Sequence, residues 1–126
     1  MRLTVLSLCT LLSTTPAFAT GGGAIAWDRN TGKYGASFNQ STSRNAEDSA
    51  IGKCGDSGCR VIMRIKPGMC AAFAATADGK RAGASVRKNR KQAQTAALAD
   101  CNKNKGVGQH WYSRNKCAIK IGNCNR

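Results

Sequence analysis

The chain carries one stretch of sequence twice. Gly35-Ala36-Ser37-Phe38 recurs as Gly83-Ala84-Ser85-Val86, 48 residues later. Arg44 to Cys54 recurs as Lys91 to Cys101, 47 residues later. Upstream, Ala24-Ile25-Ala26 aligns with Ala72-Phe73-Ala74. The offset falls by one, so one residue is lost between the strand and the helix of the second copy. An internal duplication constrains architecture more tightly than local propensity, because both copies must form the same unit.

That unit reads as β-β-α-β. In the first copy, Ala24 to Trp27 and Tyr34 to Phe38 flank the turn chemistry of Asp28-Arg29-Asn30-Thr31-Gly32, which predicts a β-hairpin. In the second, Ala71 to Ala75 and Ala82 to Val86 flank Ala77-Asp78-Gly79, where Asp-Gly is the stronger turn signal. Gly35 allows close backbone approach. Ala46, Ala50 and Cys54, and then Ala93, Ala97 and Cys101, fall at i, i+4, i+8. This spacing predicts two helices, each with one small-residue face that can lie close on a sheet. Ser43 suits the N-cap of the first helix, and Glu47 and Asp48 suit its positive end. Cys59 to Ile65 and Cys117 to Ile121 read as the closing strands. One copy cannot bury its sheet face. The expected fold is therefore α+β, with two pseudo-symmetric repeats, 23–70 and 71–124, sharing one core about a pseudo-two-fold axis.

Residues 1–19 read as a signal peptide. Arg2 supplies a short basic start, Leu3 to Leu12 is mostly apolar, and Ala17-Phe18-Ala19 fits the small-x-small cleavage rule before Thr20. The apolar run is too short to span a bilayer. Cys9 lies too early, after the bulky Leu8, for a lipid anchor. Residues 20–126 then form a single exported domain, opened by the flexible Gly21-Gly22-Gly23.

Six cysteines remain after cleavage, and an even count in a small exported domain reads as three disulfides. Zinc sites usually show paired close spacings, whereas these cysteines are separated by 5, 11, 31, 16 and 7 positions. Six cysteines allow fifteen pairings. Repeat symmetry favours Cys54–Cys59, Cys101–Cys117, and a central Cys70–Cys124 bridge between the halves. Large apolar residues are few and alanine is abundant, so burial alone stabilises such a domain marginally and cross-links matter.

Charge is uneven. Residues 20–70 carry seven Lys/Arg against four acids, and residues 71–126 carry twelve against two. The dense cationic stretches are Arg87-Lys88-Asn89-Arg90-Lys91 and the 102–116 segment. In the latter, Lys103, Lys105, Arg114 and Lys116 flank His110, Trp111 and Tyr112. Cations interleaved with aromatics suit anion binding with stacking. A solvated cationic face and a loop whose aromatics tuck beneath it are the plainer alternatives. A face made of Arg87, Lys88, Arg90 and Lys91 with the 102–116 segment is the candidate binding surface.

Catalytic signals are sparse. His110 is the one histidine, and a triad would need Ser113 or Ser85 beside it. Glu47 is the one glutamate, and Asp28, Asp56 and Asp78 are all turn residues, so paired-carboxylate glycoside chemistry is poorly supplied. Asp56-Ser57-Gly58 reads as a tight turn rather than a calcium loop. Oxidised cysteines leave no thiolate nucleophile. No cofactor and no metal site is expected.

The pattern resembles a known family. Gly23-Ala24-Ile25-Ala26, Gly32-x-Tyr34-Gly35-x-Ser37, Ala46-Glu47 through Ala50 to Cys54, Cys59-Arg60-Val61 and Cys70-Ala71-Ala72 carry the resemblance, which covers residues 23–124. The family is a bacterial exported one, catalogued as domain of unknown function number four-one-eight-nine and seen in proteobacteria and mycobacteria. Its relatives often carry an aromatic after the hairpin glycine, where this chain has Ala36 and Ala84. The segment between Cys101 and Cys117 is also longer and more basic here. The resemblance implies export and architecture and brings no catalytic residues.

The reading is a secreted or periplasmic, non-catalytic, monomeric binding module for an acidic protein or an anionic envelope polymer. Nucleic acid fits the charge but no motif supports it. The rival is a secreted effector or toxin with weak hydrolase activity through His110.

Overall fold

The structure is a computed structural model that describes residues 21–103 and 116–126. The predicted signal peptide and most of the 102–116 segment lie outside the described residues. In the first half, β1 (Gly22–Trp27) and β2 (Tyr34–Gln40) form a hairpin, followed by α1 (Ser43–Cys54) and β3 (Arg60–Ile65). In the second, β4 (Cys70–Ala75) and β5 (Ala82–Arg87) are followed by α2 (Arg90–Lys103) and β6 (Ala118–Cys124). Each half makes a three-stranded antiparallel sheet with its first strand in the middle, in the orders β2-β1-β3 and β5-β4-β6. The element order is thus β-β-α-β twice, in an α+β fold.

The side-chain alternation of the middle strands explains the layering. Ala24 and Ala26 of β1 pack against Ala46, Ala50 and Cys54 of α1. Between them, Ile25 points to the opposite face and joins Ile65, Ala71, Phe73 and Ala75. In β4, Ala72 and Ala74 pack against Ala93, Ala97 and Cys101 of α2. The order of layers is α1, first sheet, second sheet, α2, and the two sheets share the middle core. β1 and β4 are covered on both faces, so their sequences are apolar without alternation.

Alanine is needed because the helices lie very close to the sheets. A Cβ on Gly35 would stand 2.4 Å from the Cys54 nitrogen, and one on Gly83 would stand 2.2 Å from the Cys101 nitrogen. Both distances are far inside contact, so only glycine lets the helix backbone lie on the strand. Ser37 is buried beside Gly35, and its hydroxyl donates to the Ala46 carbonyl of α1.

The halves are tied at two places. At one end, the Trp27 indole donates to the Gly79 carbonyl at 2.7 Å. There the two hairpin turns abut: a Cβ on Gly32 would meet the Asp78 oxygen at 2.0 Å. At the other end, the buried Asn125 donates to the carbonyls of Ile65 (3.0 Å) and Lys66 (3.1 Å) and accepts from the Asn39 N–H (2.8 Å).

Three expectations need correction. The N-cap of α1 is Thr42, whose hydroxyl accepts from the Asn45 N–H at 3.0 Å, not Ser43. Both are hydroxyl residues one position apart, and the extended backbone at Thr42 decides between them. Glu47 lies beyond the first turn and pairs across to Arg64 of β3, so its partner is a strand cation rather than the helix end. The third concerns where one cross-link lies, since all three pairings are as expected. The bridges are Cys54–Cys59, Cys101–Cys117 and Cys70–Cys124. Cys70, however, is the first residue of β4, directly opposite Cys124 in β6. Their bridge staples two strands of the second sheet and does not join the halves. The reason is the turn at 66–69, which ends the first unit one residue earlier than the repeat boundary implied.

Among the described residues, no helix is long and apolar enough to cross a membrane.

Candidate functional site

The cationic run between β5 and α2 is where the described part of the predicted surface lies. Arg87 ends β5, and its guanidinium donates to the Val86 carbonyl at 2.8 Å. Lys88 follows. Asn89 caps α2, its side-chain oxygen accepting the Gln92 N–H at 2.8 Å. Arg90 opens α2 and donates to Asn123 of β6 at 3.3 Å. Arg87, Lys88, Arg90 and Lys91 are all exposed, as are Lys103 at the end of α2 and Lys116 before β6. Lys105, His110, Trp111, Tyr112, Arg114 and Ser113 lie outside the described residues.

Charge compensation differs between the halves. Among the described residues, the ion pair is Arg64–Glu47, within the first half. The Asp100 carboxylate of the second half accepts instead from a backbone N–H, that of Ala84, at 3.2 Å. Arg87, Lys88, Arg90, Lys91, Lys103 and Lys116 are therefore exposed with no carboxylate partner among the described residues.

Asp28, Asp56 and Asp78 serve turns. Asp28 is buried, accepting from the N–H groups of Asn30 (2.8 Å) and Thr31 (3.4 Å). The Gly58 N–H donates to Asp56, chiefly holding its carboxyl below the ordinary value, with a Thr31 hydrogen bond adding to this. The Thr76 hydroxyl donates to Asp78 at 2.7 Å and the Lys80 N–H at 3.1 Å, and in that order they hold Asp78 below its ordinary value of 3.8. Both shifts favour the ionised form, the opposite of what a general acid needs.

The sign of the pH effect follows. A carboxyl depressed on folding contributes stability that is present above the unfolded value and is lost as pH falls through the lower folded value. Part of the acid destabilisation below pH 3.8 should therefore come from Asp78. Denaturant titrations at stepped pH should show Asp78→Asn with a shallower loss below that pH than the parent. An identical slope would remove Asp78 from the account.

A cleft of about 450 Å³ runs along β5 and α2. It is lined by Ala84 and Val86 of β5, Ala96 and Ala99 of α2, and Met63 of β3, with Arg87 and Lys103 among its walls. The helix runs antiparallel to the strand, because Gly83 abuts Cys101 and Ala97. Arg87 and Lys103 thus stand toward opposite ends, and the cleft takes one cation from each predicted basic segment. Ser85 also lines it but is 5% exposed, too buried to present a nucleophile.

Sequence reasoning missed Met63 and Asp100. Met63 comes from the other half, and nothing local marks it. Asp100 did leave a signal: it stands where the first copy has Lys53, one of two acids in a strongly cationic half. Among the described residues, no group of three or more His, Cys, Asp or Glu could hold a metal ion.

The described halves, their hairpins and their half-cystines span the region over which a known family's signature extends. No curated protein and no solved structure matches the chain. A family model described as "Domain of unknown function (DUF4189)" matches residues 23–124, so the chain belongs to the DUF4189 family.

Proposed function

We propose that the protein is an exported, non-catalytic binding module whose second half presents a cationic surface to an acidic partner, either a protein or an envelope polyanion. The observation that carries this reading is the exposure of Arg87, Lys88, Arg90, Lys91 and Lys103 with no carboxylate partner among the described residues. Charges held this way attract counter-charged macromolecules and speed their encounter. Three disulfides favour an oxidising compartment, and the signal-like residues 1–19 favour the periplasm or the exterior. Asp56 and Asp78 are held toward the ionised form, which does not suit a general acid, and the six bridged cysteines carry no thiolate.

The test measures affinity for poly-L-glutamate and for lipopolysaccharide over a range of salt. Changing Lys103, Lys105, Arg114 and Lys116 together to Gln should weaken binding by about tenfold or more at low salt, since each exposed charge contact contributes up to about 1 kcal/mol. The same change should flatten the salt dependence, because fewer screened contacts remain. Trp111→Ala should weaken binding with little change in salt slope, its contribution being contact area and stacking. His110→Gln should leave binding unchanged. Unaltered affinity after the fourfold charge change, with an intact circular-dichroism spectrum, would return the surface to a merely solvated face. Hydrolysis of an offered substrate that disappears with His110→Gln would favour the effector instead.

A further inference from the structure

We propose that the free edge of β5 is a docking site for an extended acidic segment of a partner protein, which adds to the second sheet as a parallel strand. This rests on the cation-rich binding-module reading and gives its partner a form.

β5 is an edge strand, bonded to β4 on one side only. The Ala84 N–H turns outward to Asp100, which places Ala84 and Val86 as the residues whose backbone groups face away from β4. Two of their four groups are occupied: the Ala84 N–H by Asp100, and the Val86 carbonyl by Arg87. The open pair is the Ala84 carbonyl and the Val86 N–H, on either side of Ser85. In a parallel ladder one incoming residue donates to the carbonyl before, and accepts from the N–H after, the residue it faces. The open pair is that arrangement.

The same accounting disfavours a second copy of this chain. Two β5 edges related by a two-fold axis run antiparallel, and antiparallel pairing needs the N–H and the carbonyl of one residue together. At Ala84 and at Val86 one of each is taken. Such a pair would also bring Arg87 and Lys103 of both copies together. Natural edge strands are commonly protected by charged side chains against self-pairing, and Asp100 and Arg87 fit that role.

The chemistry of the occupant follows from the walls. Met63, Ala96 and Ala99 offer apolar contact beside the edge, and Arg87 and Lys103 stand at either end. Lys88, Arg90 and Lys91 continue the charge past Arg87. An extended segment alternating small apolar and acidic residues complements both. Main-chain bonds supply affinity in strand addition, and side-chain pockets supply selectivity.

The probe is a capped peptide of alternating Glu and Val, titrated into the disulfide-intact protein lacking residues 1–19. Saturation should slow hydrogen exchange at the Val86 amide by at least about tenfold, since a bonded edge amide exchanges only on opening. Methylating the peptide's backbone nitrogens one at a time should weaken binding by about tenfold where the donor to Ala84 is lost, and little at the neighbouring position. Ala99→Glu, on an exposed helix site, should weaken binding by at least about fivefold through like-charge repulsion, whereas Lys53→Glu on α1 should matter far less. Salt-sensitive binding that tolerates methylation everywhere and leaves Val86 unprotected would overturn strand addition while the binding-module reading stands. So would binding of lipopolysaccharide but not peptide. Val86 protection that rises with protein concentration without peptide would assign the edge to a second copy. Failure of every anionic probe would overturn both readings.

Discussion

Phe73→Ala should be the most damaging single side-chain truncation, costing about 3–5 kcal/mol. Phe73 is fully buried in the middle of β4 and is the largest side chain so buried among the described residues. Its ring lies 5.1 Å from that of Tyr34 and 6.3 Å from that of Trp27, tilted against both. Ile25 and Ile65 of the first half pack in the same cluster. The ring therefore belongs to one half and is enclosed largely by the other. The neighbours are small or sit on paired strands, so they collapse poorly into the space left behind. Domains of this kind are stable by about 5–15 kcal/mol, so the loss is a large fraction of the total. Denaturant unfolding should show a lower midpoint with an unchanged slope, and Phe73→Leu should recover much of the loss. A cost under about 1 kcal/mol would mean that the sheets close over the cavity.

Replacing Cys70 and Cys124 together with Ala should cost more than removing either other bridge. Chain-entropy arithmetic gives about 4 kcal/mol for this pair, about 3 for Cys101–Cys117 and about 2 for Cys54–Cys59, as upper values. The order follows sequence separations of 54, 16 and 5. The tertiary structure adds a second reason. Cys124 precedes Asn125, the residue that bonds to Ile65, Lys66 and Asn39 of the first half. Freeing β6 from β4 loosens the segment that ties the halves. Thermal unfolding of the three double variants should follow that order. Equal losses would show that local packing, not loop closure, sets each contribution.

Much of the fold was legible because duplication makes one unit testify for the other. The helix faces Ala46/Ala50/Cys54 and Ala93/Ala97/Cys101 are the buried ones. Gly35 marks close approach of α1 to β2, and its repeat equivalent Gly83 marks the same approach of α2 to β5. The errors came where local chemistry was degenerate. Thr42 and Ser43 are both capping residues, and Cys70 stands at a seam where either unit can claim it. Glu47 suited a helix dipole on sequence grounds, but Arg64, 17 positions away, took it.

The candidate site was less legible, for a different reason. Its cations could be counted from composition, and the run Arg87 to Lys91 could be placed beside a helix. The cleft could not, because Met63 reaches it from the other half through the stacking of two sheets. Periodicity records which face of a strand is apolar, since that depends on neighbours two or four residues away. It does not record which apolar face meets which, since that depends on shape and volume summed over distant segments. The repeat, the small-residue helix faces and the cysteine pairs were therefore properties of the chain. The face-to-face sheets around Phe73, the seating of Cys70 in β4, and an edge strand left with one carbonyl and one N–H open were decided by packing.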